Sequence, residues 1–366
     1  MSAATQLAGT ELLGFKVPIN DIERRLTEVM TGGEDTGEDS GVTRASLLNL
    51  ALYSEKPDQL TENADTIAEI TREAACRTIL ICVDPVQEKT APIAWVQAHC
   101  QSDKDGNKSI CSEQISFFLT GSTSGLVRNT VFSHLDSDLP LVFWWRGEFS
   151  DAFEERLYSR IDRFIFDSEV WTNPRNQLVR LADACQSGRA TFCYHDLAYT
   201  RLNSYRQAIA NAFDLPALGN SVAKIEGMKI RYPKGRRMSA IYLSAWLAHR
   251  LHSSLDRAHS SEGRYVFRSS SPGMPQEIVI ETTEVEDCHF AAAIKAGNYL
   301  LELTRCGERD YLGTKIIDGA TGEGSEDWLP NPRKNDAELV IQILERSGKN
   351  RSLMQLADIV GELLTV

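Results

Sequence analysis

The chain has 366 residues, of which 42% are hydrophobic and 25% charged, so it carries enough apolar material for one or two real cores. Asp and Glu outnumber Lys and Arg by 51 to 39, a net charge of −12. That sign excludes a generic nucleic-acid or anionic-membrane binder. There is no apolar run of about 18 residues and no basic segment followed by an apolar core at the N-terminus, so neither a membrane span nor a secretory signal is expected. Eight cysteines are too few for a disulfide scaffold. Cys82, Cys111, Cys193 and Cys306 lie in or beside apolar runs and read as buried, reduced thiols of a cytoplasmic protein.

In chain order, Ile19 to Met30 has helical spacing and precedes TGGEDTGEDSG, an acidic, glycine-rich run that reads as a linker. SGVTRASLLNLALYS reads as a helix with a stripe at Leu47, Leu48, Leu50 and Leu52, and TENADTIAEITREAAC as a second helix. CRTILICVD is a β-branched run stopped by Pro85, as a buried strand should be. IAWVQAHC and SICSEQISFFL flank a turn at Asp105-Gly106 and predict an antiparallel hairpin. TSGLVRNTVFSHLD, DAFEERLYSRID, NPRNQLVRLADACQS and SYRQAIANAF read as helices. They alternate with the strands LPLVFWW, RFIFDSE and TFCYHDL. This alternation predicts an α/β fold, a doubly wound and mainly parallel sheet.

After Asp214 the character changes. SVAKIEGMKIRY reads as a strand and RRMSAIYLSAWLAHRLHSSL as an apolar helix. Then GRYVFRSS, QEIVIETTEV, HFAAAIKAGNYLLELTR and DYLGTKII predict an antiparallel meander, DGATGEGSED a second acidic linker, and AELVIQILERSG and SLMQLADIVGELL two closing helices. The expected organisation is therefore residues 1–39 as helix and linker, 40–214 as the α/β domain, and 215–366 as a smaller α+β domain.

The motifs of chemistry are missing. There is no G-x-G-x-x-G between a strand and a helix, no P-loop and no G-x-S-x-G elbow, since Thr123 fills the middle position of Gly121 to Gly125. No C-x-x-C occurs, and His249 and His252 lack the further ligands a zinc site needs. His195 and Asp196 are adjacent on a strand and point to opposite faces, which weakens a catalytic dyad. Among Cys76, Cys82, Cys185 and Cys193, only Cys76 has an adjacent basic residue, Arg77, that could activate it. No cofactor and no metal are expected.

Three segments stand out. In Leu139 to Glu148, Phe143, Trp144, Trp145 and Arg146 close an apolar strand, at the edge where α/β sheets meet their ligands; one core does not easily bury both indoles, so one is expected on the surface as an interface anchor. In His195 to Arg206, the residues Asp196, Tyr199, Arg201 and Arg206 lead into a helix, and Asp196 can pair with Arg201. From Lys224 to Arg237 the charge reverses: Lys234, Arg236 and Arg237 surround Gly235 just before a helix N-terminus, a place that favours a phosphate or an acidic protein face.

Taken together, LPLVFWWRGE, RFIFDSE, HDLAYTRLNSYRQAIANAFD, the basic loop and SAIYLSAWLAHRL resemble the OpcA family, the glucose-6-phosphate dehydrogenase assembly proteins of cyanobacteria and actinobacteria. The likeness is good over Arg72 to Leu251; Tyr199 and Tyr205 stand where tryptophan is common. The resemblance implies a non-enzymatic partner that binds glucose-6-phosphate dehydrogenase and promotes its active form, with the three segments as contact surface. The alternative from the residues alone is an α/β enzyme or binder for a phosphorylated sugar or nucleotide-sugar, with His195, Asp196, Arg201 and the basic loop around the ligand.

Overall fold

Parallel strands buried on both faces organise the first part of the chain. The computed structural model describes residues 13–30, 42–44, 46–87, 91–102, 109–121, 124–187, 192–216, 218–219, 221–286, 288–305, 310–346 and 350–366. The chain groups into two units. The first comprises residues 1–167, 180–195 and 335–349, and the second 168–179, 196–334 and 350–366. The expected division at residue 214 is thus not the observed one, because the chain passes between the units repeatedly.

The elements up to residue 196 are β1 (Phe15–Val17), α1 (Ile22–Met30), β2 (Val42–Arg44), β3 (Leu48–Ser54), α2 (Leu60–Glu73), β4 (Cys76–Asp84), β5 (Ala91–Ser102), β6 (Ser109–Thr120), α3 (Ser124–Ser133), β7 (Leu141–Arg146), α4 (Glu155–Tyr158), β8 (Arg163–Phe166), α5 (Pro174–Gln186) and β9 (Cys193–Asp196). The sheet order is β1-β5-β6-β4-β3-β7-β8-β9, with β2 beside β6. β6, β4, β3, β7 and β8 are mutually parallel, while β5 is antiparallel to β6 and β1 to β5. Successive parallel strands step outward from β3 in both directions, which is the doubly wound arrangement. The expected α/β class and the hairpin β5–β6 are present; the turn at Asp105-Gly106 and the linker at 31–41 lie outside the described residues.

Two expectations are corrected. LNLALYS is strand β3, not helix, because a central strand covered on both faces is buried at Asn49 through Ser54 without alternation. Trp144 and Trp145 are both buried, each 1% exposed. A doubly wound sheet has a core on each face, so side chains on opposite sides can both be covered. On one face Trp145 packs on Tyr53, with ring centroids 4.3 Å apart, and edge-on against Phe149 and Phe153; its indole Nε1 donates to the Glu148 carbonyl at 2.9 Å. On the other, the Arg146 guanidinium lies 5.3 Å over the Trp144 ring. Phe143 is fully buried beside Phe164. A third correction concerns Cys111, which is joined to Cys100 across the β5–β6 hairpin rather than being a free thiol.

The second unit contains α6 (Leu197–Thr200), α7 (Asn203–Asp214), β10 (Ile225–Tyr232), α8 (Arg237–Arg250), β11 (Ser254–Leu255), β12 (Arg264–Arg268), β13 (Glu277–Glu284), β14 (Ala291–Ala296), β15 (Tyr299–Arg305), β16 (Tyr311–Asp318) and β17 (Gly324–Pro330). α9 (Asp336–Leu344) belongs to the first unit, and α10 (Arg351–Met354) and α11 (Ala357–Leu363) to the second. The sheet order is β11-β12-β13-β10-β14-β15-β16-β17. Of the expected meander, β12–β13 and β14–β15–β16 pair antiparallel in chain order, with Gly297 (φ +61°) at the β14–β15 turn, but β10 is inserted between β13 and β14, parallel to β13, and β17 extends the antiparallel run beyond β16. The expected second linker is in part strand β17, which takes its order from pairing with β16. α7 and α8 cover one face of this sheet. α8 is apolar nearly all round, and Met238 through Ala248 are all buried.

Trp145→Ala removes a ring enclosed by Tyr53, Phe149 and Phe153 and leaves a cavity. We expect a loss of about 3–5 kcal/mol in unfolding free energy, read by denaturant titration; a loss below about 1 kcal/mol would mean that the ring is not enclosed.

Candidate functional site

In a doubly wound sheet the crevice beyond the C-terminal ends of the two central strands, here β3 and β7, is where a ligand would sit. The two strands are paired, with Ser54 opposite Arg146. A dinucleotide site there needs a glycine-rich turn that exposes backbone N–H groups at a helix N-terminus. Residues 55–59 are Glu-Lys-Pro-Asp-Gln instead. The Glu55 carboxylate accepts from the hydroxyls of Tyr53 and Ser150. Burial, reinforced by the Glu55 carboxylate, holds the Tyr53 phenol far above its ordinary range, so it stays a donor. A carboxylate in this position opposes a pyrophosphate.

Arg146 stands at the end of β7 on the other side of the crevice. Its Nη1 donates to the Asn63 side chain, and its Nη2 reaches Glu62 at 3.2 Å and Asp336 at 3.3 Å. The cation that the sequence offers as an anchor thus ties β7 to α2 and α9 within the first unit.

His195 and Asp196 are both buried. His195 Nε2 lies 3.7 Å from the Cys193 sulfur, and burial, with Arg163 and Arg346 nearby, pushes its imidazole down to about 4. Cys76 and Cys82 are pushed up to about 12 by burial. Arg77 does not activate Cys76, because its guanidinium turns to Glu113 at 3.1 Å and Glu23 at 2.5 Å.

In the second unit Asp196 accepts from the N–H groups of Ala198 (2.9 Å) and Ser168 (3.1 Å) and from the Tyr242 hydroxyl (2.7 Å). It caps α6 and ties it to α8. Tyr199, 2% exposed, bonds Ser352 through its hydroxyl and packs on Tyr242. Arg206 lies 3.6 Å over the Tyr199 ring and donates to the Tyr199 carbonyl at 2.7 Å. Arg201 is half-buried and closes α6 through its N–H to the Leu197 carbonyl. The DLAYTRLNSYR run therefore builds the helical layer of this unit; Asp196 and Tyr199 are too buried to serve as the contact surface that the sequence suggests.

The anion position at the N-terminus of α8 is taken by the chain itself. Glu169 accepts from the N–H groups of Met238 (3.0 Å) and Ser239 (2.8 Å). Two cations of the basic segment have acidic partners across the fold. Lys229 pairs with Glu281 at 3.3 Å and Arg237 with Glu262 at 3.0 Å. Lys234 and Arg237 are exposed and Arg236 is half-buried. Among the described residues, no three His, Cys, Asp or Glu side chains come together as a metal site would require, and no helix is long and apolar enough to cross a membrane. Glu55 and Glu169 escape the sequence reading because each acts through a partner distant in sequence.

The class is thus an α/β protein whose switch-point crevice holds its own side chains, with a second, mixed-sheet unit. Residues 67–183 match the glucose-6-phosphate dehydrogenase subunit N-terminal domain and residues 193–355 the corresponding C-terminal domain, and the chain belongs to this family, OpcA. Among curated relatives, the OxPP cycle protein OpcA of Synechocystis sp. is 31% identical over 192 residues, covering 51% of this chain and 39% of that protein. That of Nostoc punctiforme is 27% identical over 187 residues, covering 50% and 39%. The chain spans about two fifths of the length of these relatives. Among solved structures, a 3-ketoreductase from Actinomadura kijaniata aligns with TM-score 0.49 at 10% identity, covering 87% of this chain and 96% of that one. Gal80p from Saccharomyces cerevisiae aligns with TM-score 0.43 at 7% identity, covering 87% and 95%.

The depressed His195 has a signature in stability. Below about pH 6.5 the unfolded chain takes up a proton that the folded one refuses until about pH 4. Stability should fall through that window, by up to about 1.4 kcal/mol per pH unit from this group. His195→Gln should remove that part of the slope in denaturant titrations; equal slopes would place the imidazole in water.

Proposed function

We propose that this chain is a non-enzymatic, cytoplasmic partner of glucose-6-phosphate dehydrogenase that binds the enzyme and favours its assembled, active form in the oxidative pentose phosphate pathway. The reading is carried by the match of both parts of the chain to the dehydrogenase-subunit domains. The filled crevice supports it: Glu55 and Arg146 occupy the position where a sheet of this kind would take a dinucleotide.

An activator works only by binding one state of its target more tightly than another. A coupling of about 1–3 kcal/mol corresponds to a 5- to 150-fold change in the target's affinity for its ligand. Phe143, Trp144, Trp145, Arg146, Asp196, Tyr199 and Arg206 serve this role indirectly, by fixing the fold. The exposed Lys234 and Arg237, with Arg236 beside them, are the contact residues we retain from the basic loop.

Titrating the cognate dehydrogenase with the purified chain should lower its apparent KM or raise its rate, while the chain alone turns over nothing. No change at saturating, folded protein overturns the proposal. Charge reversal at Lys234 and Arg237 should slow association and flatten its dependence on ionic strength. An unaltered salt dependence would remove the loop from the interface.

A further inference from the structure

Among the described residues, the helices of the second unit lie against one face of its sheet. The other face presents Lys229, Arg231, Thr304 and Lys315 to solvent. Its middle is made of small residues: Ala291 and Ala293 project there, and Gly227 approaches the Val279 carbonyl so closely that a Cβ would lie 2.2 Å from its oxygen.

The register gives this face an unusual order of charge. β14 is the middle strand of the seven from β12 to β17 with β10 inserted. One row crosses all seven, with Ala293 at its centre. One strand away from Ala293 stand Lys229 on β10 and Glu302 on β15. Two strands away stand Glu281 on β13 and Lys315 on β16. Three strands away stand Arg264 on β12 and Glu326 on β17. At each distance the two sides carry opposite charges. The row is antisymmetric about Ala293.

We infer that this face is a self-association surface whose occupant is a second copy of the chain, related by a two-fold axis that runs along β14 past Ala293. An isologous interface must be complementary to itself. Rotation about that axis lays each row on its own reversed image, so Lys229 meets Glu302 of the other copy, Glu281 meets Lys315, and Arg264 meets Glu326. A single-sign row, or one symmetric about its centre, would meet like charge under the same operation. The adjoining row runs through Val279, Gly227, Lys295, Leu300 and Ile317. The same rotation sets Leu300 over the notch at Gly227 and Ile317 over Val279. Lys295, which meets its own image at the axis, is neutralised within each copy by Glu226 at 2.6 Å. Shape agrees as well, because a two-fold along a strand maps the saddle of a right-handed twisted sheet onto itself. The two sheets then stack at the usual spacing of about 10 Å. The small side chains on β14 let the backbones approach at the axis. This inference is independent of the dehydrogenase partnership.

Sedimentation equilibrium of the full chain tests it. The wild type should dimerise, and Lys229→Glu or Glu302→Lys alone should each raise the dissociation constant at least about tenfold, because each sets like charges together twice per dimer. Mixing the two variants in equal amounts should restore a heterodimer. There the two substituted side chains face each other with opposite charge, and the unsubstituted Lys229 of one copy faces the unsubstituted Glu302 of the other. That restoration also shows that neither variant is misfolded. A wild type that stays monomeric to about 100 µM, a dimer indifferent to both substitutions, or a mixture that fails to reassociate overturns the inference.

Discussion

The guanidinium of Arg146 is the contact on which the first unit turns. It sits at the C-terminal end of β7, over the Trp144 ring, and joins Glu62 and Asn63 of α2 to Asp336 of α9. A cation among two carboxylates and an amide is satisfied where it stands. It therefore keeps α2 and α9 over the sheet and leaves the mouth of the crevice to the protein's own side chains. Glu55, bonded to Tyr53 and Ser150, completes the closure. A doubly wound sheet ordinarily gives this position to a ligand; here it serves cohesion.

The second unit repeats the theme. Asp196 holds α6 and α8 together, Glu169 supplies the anion at the start of α8, and Arg206 covers the Tyr199 ring. Asp196 and Glu169 are thus committed to helix ends and Arg206 to an aromatic face. Among the described residues, one face of the sheet and the basic turn present charged side chains to solvent.

Much of this was legible in the sequence. The α/β alternation, the β5–β6 hairpin, Pro174 in the first turn of α5 and the meander follow from local pattern and turn residues. β3 did not, because Leu50 and Leu52 on a strand buried on both faces give no alternation, and their spacing also fits a helix. β4 was readable since Ile79, Ile81 and Val83 are β-branched. The paired indoles misled through geometry: counting one core forbids burying both, whereas the sheet has two. The basic segment misled through locality. Lys229 has basic neighbours along the chain, but across the sheet it faces Glu281. Family motifs survived these errors because Trp144, Asp196 and Tyr199 mark the fold itself, whichever function it carries.

The occupied crevice is the structural support for a partner without a dinucleotide site, and a calorimetric titration of the full chain with NADPH tests it. With Glu55 and Arg146 in place, no saturable heat should appear up to about 1 mM dinucleotide, weaker than about −4 kcal/mol of binding. Stoichiometric binding at micromolar concentration, abolished by substitution of Arg146, would contradict it.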